Sequence, residues 1–193
     1  MKKNIAVLAS GKGSNAINIH SFFQNSEEVA IKLICSNKRN SPLYAFSKEN
    51  NIRFYYLDTS FSNFFDDFIQ HLQLINIDFI VLSGFLLKIP KNLVELYKNK
   101  IINIHPSLLP KYGGKGMYGH NIHNLVVKNK EKYSGITIHF VNEEYDSGAI
   151  IFQHKYELKK SETAESLSDE IQKIEHNFFP KIILETVKKT AWE

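Results

Sequence analysis

Ile5-Ala6-Val7-Leu8-Ala9-Ser10-Gly11-Lys12-Gly13-Ser14-Asn15 is the stretch from which the fold can be read. A short apolar run reads as a buried strand. It breaks at a loop with two glycines and continues as a helix through Phe22-Phe23. The same rhythm then repeats. Runs at residues 29–35, 53–57, 78–82 and 101–105 read as strands, and helical stretches separate them. Pro42 opens one of these helices, where its fixed φ and missing N–H suit the first turn. In another, Phe61, Phe64, Phe65, Phe68, Leu72 and Ile75 recur at helical spacing. A shorter helix covers residues 90–97. This alternation predicts an α/β fold with one doubly wound, mostly parallel sheet and helices on both faces.

Past Pro106 the pattern changes. A glycine-rich loop at residues 111–119 leads to a helix near residues 122–127. Strands at residues 135–141 and 149–158 then follow almost back to back, which predicts antiparallel pairing in the C-terminal half. Ala164, Leu167, Ile171, Ile174 and Phe178 mark one face of a last helix, which Pro180 should kink or restart. Residues 1–193 read as a single domain, with residues 1–100 and 101–193 as its two halves.

Composition agrees with one globular unit. At 193 residues, roughly 70% of the unfolded chain's surface can be buried without a staple. The one cysteine, Cys35, excludes an internal disulfide and reads as a reduced packing residue. No apolar run approaches the roughly 20 residues that span a bilayer, and the first ten residues lack a signal-peptide pattern. A cytoplasmic protein is therefore expected. The net charge of +4 is carried by scattered lysines. It suits an anionic small molecule at least as well as nucleic acid, so no nucleic-acid or membrane partner is expected. Monomer and homodimer both remain open.

The candidate chemistry lies at the predicted strand ends. Gly11 and Gly13 let backbone N–H groups approach an anion, and Ser14 and Asn15 add donors at a helix N-terminus. A plain turn or a dinucleotide fingerprint competes with this phosphate reading. The fingerprint wants a carboxylate after the second strand, where Ser36-Asn37-Lys38-Arg39 stands instead. In Asn103-Ile104-His105-Pro106, Asn103 and His105 share one strand face and Ile104 points into the core. An amide donor beside an imidazole suits oxyanion stabilisation and proton handling, although a satisfied buried pair would look the same. Asp146 reads alone as a turn residue. If it approached His105 it would raise the imidazole pKa. His120 and His123 have no carboxylate or cysteine at ligand spacing, so no metal is expected. Ser107 lacks a nucleophile elbow. Glu175 is an exposed helix charge unless its face closes over the site.

Together these residues resemble the phosphoribosylglycinamide formyltransferases over nearly the whole chain. The most specific part is Asn103-Ile104-His105-Pro106-Ser107-Leu108-Leu109-Pro110-Lys111-Tyr112. Gly13-Ser14-Asn15, Ser83-Gly84-Phe85, Gly135-x-Thr137-x-His139-Phe140-Val141, Asp146-x-Gly148 and Glu175-His176 fall around it in the family's order. The resemblance implies a Rossmann-like formyltransferase fold, with a phosphate-binding first half and a catalytic, folate-binding second half. It implies formyl transfer from 10-formyltetrahydrofolate to the amine of glycinamide ribonucleotide, without a covalent enzyme intermediate.

By the same resemblance Asn103, His105 and Asp146 form the catalytic set. Gly11, Gly13, Ser14 and Asn15 hold the phosphate and Glu175 the ribose. Leu86, Leu87, Lys88 and Ile89 border the folate, with Val141, Asn142, Glu143 and Glu144 opposite. Leu87 stands where some relatives carry Arg, and the loop at residues 113–117 is longer and richer in glycine than in many. Wider relatives that share Asn-x-His-Pro carry an N-terminal regulatory or a C-terminal tRNA-binding domain, and by length neither is expected here.

Overall fold

The structure is a computed structural model that describes residues 2–190. Seven strands appear: β1 (Lys3–Leu8), β2 (Val29–Ser36), β3 (Arg53–Tyr56), β4 (Phe79–Leu82), β5 (Ile101–His105), β6 (Tyr133–Phe140) and β7 (Ile150–Glu157). The helices are α1 (Ser14–Phe23), α2 (Leu43–Glu49), α3 (Phe64–Leu74), α4 (Lys91–Leu96), α5 (His120–Lys128) and α6 (Ala164–Thr190). The strands form one sheet in the order β3-β2-β1-β4-β5-β6-β7. Pairing is parallel from β3 across to β5, then antiparallel for β5 with β6 and β6 with β7.

Burial explains why the inner strands are continuously apolar. In β1, Ile5 and Val7 enter one core while Ala6 and Leu8 enter the other. The first core lies under α1, α5 and α6, through Ile19, Ile122, Leu167 and Ile183. The second lies under α3 and α4, through Phe68, Leu72 and Leu93. Each such side chain contributes roughly 1.5–3 kcal/mol on burial. The edge strand β7 alternates in exposure instead, because only one of its faces is covered.

One expectation is corrected and another narrowed. Phe61 is exposed, and α3 begins only at Phe64. The Asp58 carboxylate accepts the Ser60 N–H at 3.0 Å, which holds this segment in a turn ahead of the helix. Nor does Pro180 restart the last helix, because α6 runs unbroken through it. Proline cannot donate to the carbonyl four residues back, which is that of His176. The Asn18 side-chain amide, on α1, donates to that oxygen at 2.8 Å.

The sheet order places the reversal of winding between β1 and β4, where open α/β sheets bind ligands at their carboxyl ends. The loops there are tied together: Ser10 N–H donates to Gly84 O at 3.0 Å, and Leu86 N–H to Ser10 Oγ at 3.0 Å. On the far side, a Cβ on Gly148 would lie 1.8 Å from Phe140 O, so only glycine lets the loop after β6 fold back so tightly.

The Pro180 arrangement is testable by a double-mutant cycle. Asn18→Ala should cost about 1–2 kcal/mol by orphaning a half-buried carbonyl. In a Pro180→Ala background, where the restored N–H can satisfy His176, the same change should cost much less. Equal losses in urea midpoint in the two backgrounds would contradict this.

Candidate active site

At the end of β1 the chain turns through Gly13, whose φ of 82° is left-handed and whose Cβ would meet Leu43 Cδ2 at 2.4 Å. Glycine therefore sets the start of α1. Helical bonding there begins with Ile17 N–H donating to Gly13 O at 2.9 Å. The N–H groups of Ser14, Asn15 and Ala16 are left outside the helical ladder. Gly11, Lys12, Gly13, Ser14 and Asn15 line one end of a cleft of about 640 Å³.

The side chains of this loop are already engaged. Gln172 Nε2 donates to Ser14 Oγ at 2.9 Å, and Asn15 Nδ2 donates to Glu175 Oε2 at 2.7 Å. The α6 face does close over the site, so Glu175 is not a solvated helix charge. The residue keeps partial exposure, but its carboxyl end is enclosed. Burial raises its pKa to about 7, while the Asn15 bond acts in the opposite direction. Asn15 Oδ1 is buried without a partner.

β5 supplies the centre of the site. Asn103 sits opposite His139 of β6 in the antiparallel register. Asn103 Nδ2 lies 3.1 Å from His139 Nε2, and His139 Nδ1 lies 2.8 Å from Phe140 O. His105 Nε2 lies 2.7 Å from Tyr112 O, and a carbonyl only accepts, so this nitrogen carries the proton. His105 Nδ1 faces Asp146 Oδ1 at 3.5 Å. Asp146 takes a left-handed φ of 53°, and its Oδ2 accepts the Gly114 N–H at 2.8 Å.

The electrostatics reverse one expectation. Asp146 does favour the charged imidazole, but burial of His105 is the larger effect and lowers its pKa below the ordinary 6.5. The Tyr112 bond acts with Asp146, and His139 acts with burial. At neutral pH the free ring is therefore mainly neutral, with Nδ1 unprotonated. The Asp146 pKa moves below its usual value although burial, the largest effect on it, pushes upward; His139, His105 and Gly114 together outweigh burial. His139 Nε2 stands 3.7 Å from Asp146 Oδ1, beyond hydrogen-bond reach. The Gly114 N–H is thus the direct hydrogen bond to this carboxylate, and the two imidazoles flank it at 3.5 and 3.7 Å.

The other anticipated residues divide. Leu86 lines the main cleft. Leu87, Lys88, Ile89, Val141, Asn142 and Glu144 line a separate recess of about 60 Å³, which also touches Asn103, His139 and Asp146. Glu143 lines neither and pairs with Lys91 at 3.6 Å. Ser107 Oγ donates to Lys111 O at 2.7 Å, a structural role. His123 is buried, and burial first, then His120 and His105, lowers its pKa to about 4. Among the described residues no group of three or more His, Cys, Asp or Glu has metal-centre geometry. Sequence reasoning gave no role to Gln172, Gly114 or the Tyr112 carbonyl. Gln172 could have been found from its spacing three residues before Glu175; backbone groups leave no such signal.

The formyl transferase family model matches residues 3–183. A phosphoribosylglycinamide formyltransferase of Bacillus subtilis is 34% identical over 186 residues, covering 94% of this chain and 93% of that protein. The chloroplastic enzyme of that name from Arabidopsis thaliana is also 34% identical, over 188 residues and 94% of this chain. The chain spans 64% of that relative's length and 60% of a similar one from Vigna unguiculata. Among solved structures, the phosphoribosylglycinamide formyltransferase of Bacillus halodurans superposes with a TM-score of 0.89 at 29% identity, covering 97% of each chain. By this family match and the 34% identity to the Bacillus subtilis protein over most of both chains, the chain belongs to the formyl transferase family.

Proposed function

We propose that this protein transfers the formyl group of 10-formyltetrahydrofolate to the amine of glycinamide ribonucleotide, a step of purine synthesis. One observation carries the reading. The cleft that begins at the Gly11–Asn15 loop and the recess beside Leu87, Ile89 and Val141 both reach Asn103 and Asp146. A phosphorylated amine in the first and a folate in the second would bring amine and formyl carbon together there. In purified protein with both substrates, formylated product and tetrahydrofolate should form in equal amounts. Hydrolysis of the donor at the same rate without the amine would contradict the assignment.

In the proposed mechanism the neutral amine attacks the formyl carbon on N10, giving a tetrahedral adduct with a cationic nitrogen and an oxyanion. An Asn103 N–H donates to that oxygen. The unprotonated Nδ1 of His105, with Asp146 beside it, takes the proton that the nitrogen sheds, directly or through one water. The resulting imidazolium is stabilised by Asp146. The proton passes to N10 as the C–N10 bond breaks, which restores the enzyme and releases tetrahydrofolate. The Ser14 and Asn15 N–H groups hold the phosphate together with the Ser14 hydroxyl, whose proton stays free while its oxygen accepts from Gln172, and Glu175 meets the ribose. Among the described residues no helix is long and apolar enough to cross a membrane.

Three outcomes follow from this assignment. Asn103→Ala should lower kcat by roughly 10²–10³ in a folded protein, as for loss of one oxyanion donor. Ser14→Ala should mainly raise KM for the phosphorylated substrate, and a pure kcat loss would contradict a ground-state role. The third concerns pH. Because the His105 pKa lies below 6.5, kcat/KM should fall on the acid side as the ring protonates and the amine becomes cationic. NMR titration of His105 should give a midpoint under 6.5, and a lower one still in Asp146→Asn. A wild-type midpoint above about 7 would make the imidazolium the resting form and contradict the neutral-base mechanism.

A further inference from the structure

We propose that His139 is a positioning residue for the transfer step, setting which end of the Asn103 amide faces the reacting oxygen. The inference rests on the reading of Asn103 as oxyanion donor. The two ends of an asparagine amide have nearly the same shape, so packing alone orients them poorly. A flipped Asn103 would turn its oxygen towards the developing negative charge and oppose the reaction.

The hydrogen bonds of His139 remove that ambiguity. Its Nδ1 lies 2.8 Å from Phe140 O, which can only accept, so the proton sits on Nδ1. A neutral imidazole has one N–H, so Nε2 offers a lone pair, and the Asn103 atom 3.1 Å away must be the NH₂ group. One N–H of that group is spent on His139 and the other is left for substrate. Asp146 Oδ1, 3.7 Å from His139 Nε2, favours a proton on that nitrogen instead. That distance is too long for a hydrogen bond, and a proton there would set two donors against each other at 3.1 Å. The ring is 2% exposed, so water cannot replace either partner freely. The pairing of residues 103 and 139 across β5 and β6 brings both side chains to the same face of the sheet.

The test is a double-mutant cycle with a conservative rescue. His139→Leu should lower kcat roughly ten- to a hundredfold, part of what a lost oxyanion donor costs, with both KM values little changed and a modest fall in melting temperature from the Phe140 carbonyl it leaves unpaired. His139→Gln, whose side-chain oxygen can replace Nε2 as acceptor, should recover most of the rate. In an Asn103→Ala background His139→Leu should have no further effect, because it acts through the amide. The same loss in both backgrounds would overturn the proposal. If Asn103→Ala itself leaves the rate intact, the oxyanion reading fails, and the inference falls with it for that distinct reason. Should His139→Leu not fold, ¹⁵N NMR of the wild type decides: a proton on Nδ1 with Nε2 bare is expected, and a proton on Nε2 would overturn it.

Discussion

The site depends on the antiparallel register of β6 against β5. In that register Asn103 sits across from His139, and His105 across from Thr137. A slip of one residue would send Asn103 and His105 into the core and Ile104 into the cleft. The loop after β6 doubles back, with Phe140 N–H donating to Ala149 O at 2.9 Å and Gly148 close on the Phe140 carbonyl. This return carries Asp146 to His105, across 41 residues of sequence that include α5 and all of β6. The left-handed backbone of Asp146 is held there by the Gly114 N–H.

Burial then sets the chemistry of three titratable groups differently within one cleft. His105 loses charge because desolvation exceeds the attraction of Asp146. Asp146 keeps its charge because several contacts together exceed desolvation. Glu175 rises to about 7 because only Asn15 opposes its burial. An unprotonated base beside an ionised carboxylate can accept a proton at neutral pH and stabilise the cation that results. With a pKa raised to about 7, Glu175 carries less negative charge beside the Gly11–Asn15 loop than an ordinary carboxylate would.

The β–α alternation, the parallel sheet and its antiparallel end were legible because strands buried on both faces are written as continuous apolar runs. The shared face of Asn103 and His105 was legible from strand periodicity alone. What periodicity cannot give is distance between segments far apart in the chain. The approach of Asp146 to His105, the closure of Glu175 over Asn15 and the rescue of the His176 carbonyl by Asn18 all have this form. The net direction of the His105 pKa is hidden in the sequence for a related reason. A charge partner can be guessed from sequence, but the depth of burial that opposes it cannot. His139 stood within a recognised motif, yet its role emerges only from two hydrogen bonds, one of them to a backbone carbonyl.

The central claim is that two ligand regions meet at Asn103 and Asp146. The most direct measurement is a crystal structure with an inert bisubstrate analogue joining glycinamide ribonucleotide to a folate through N10. Its phosphate should sit on the N–H groups of Ser14 and Asn15, and its pterin should lie between Leu87–Ile89 and Val141–Glu144. The linking carbon should lie within one hydrogen-bonded contact of Asn103 Nδ2 and His105. A phosphate bound elsewhere, or a linking carbon outside the reach of Asn103, would contradict the assignment.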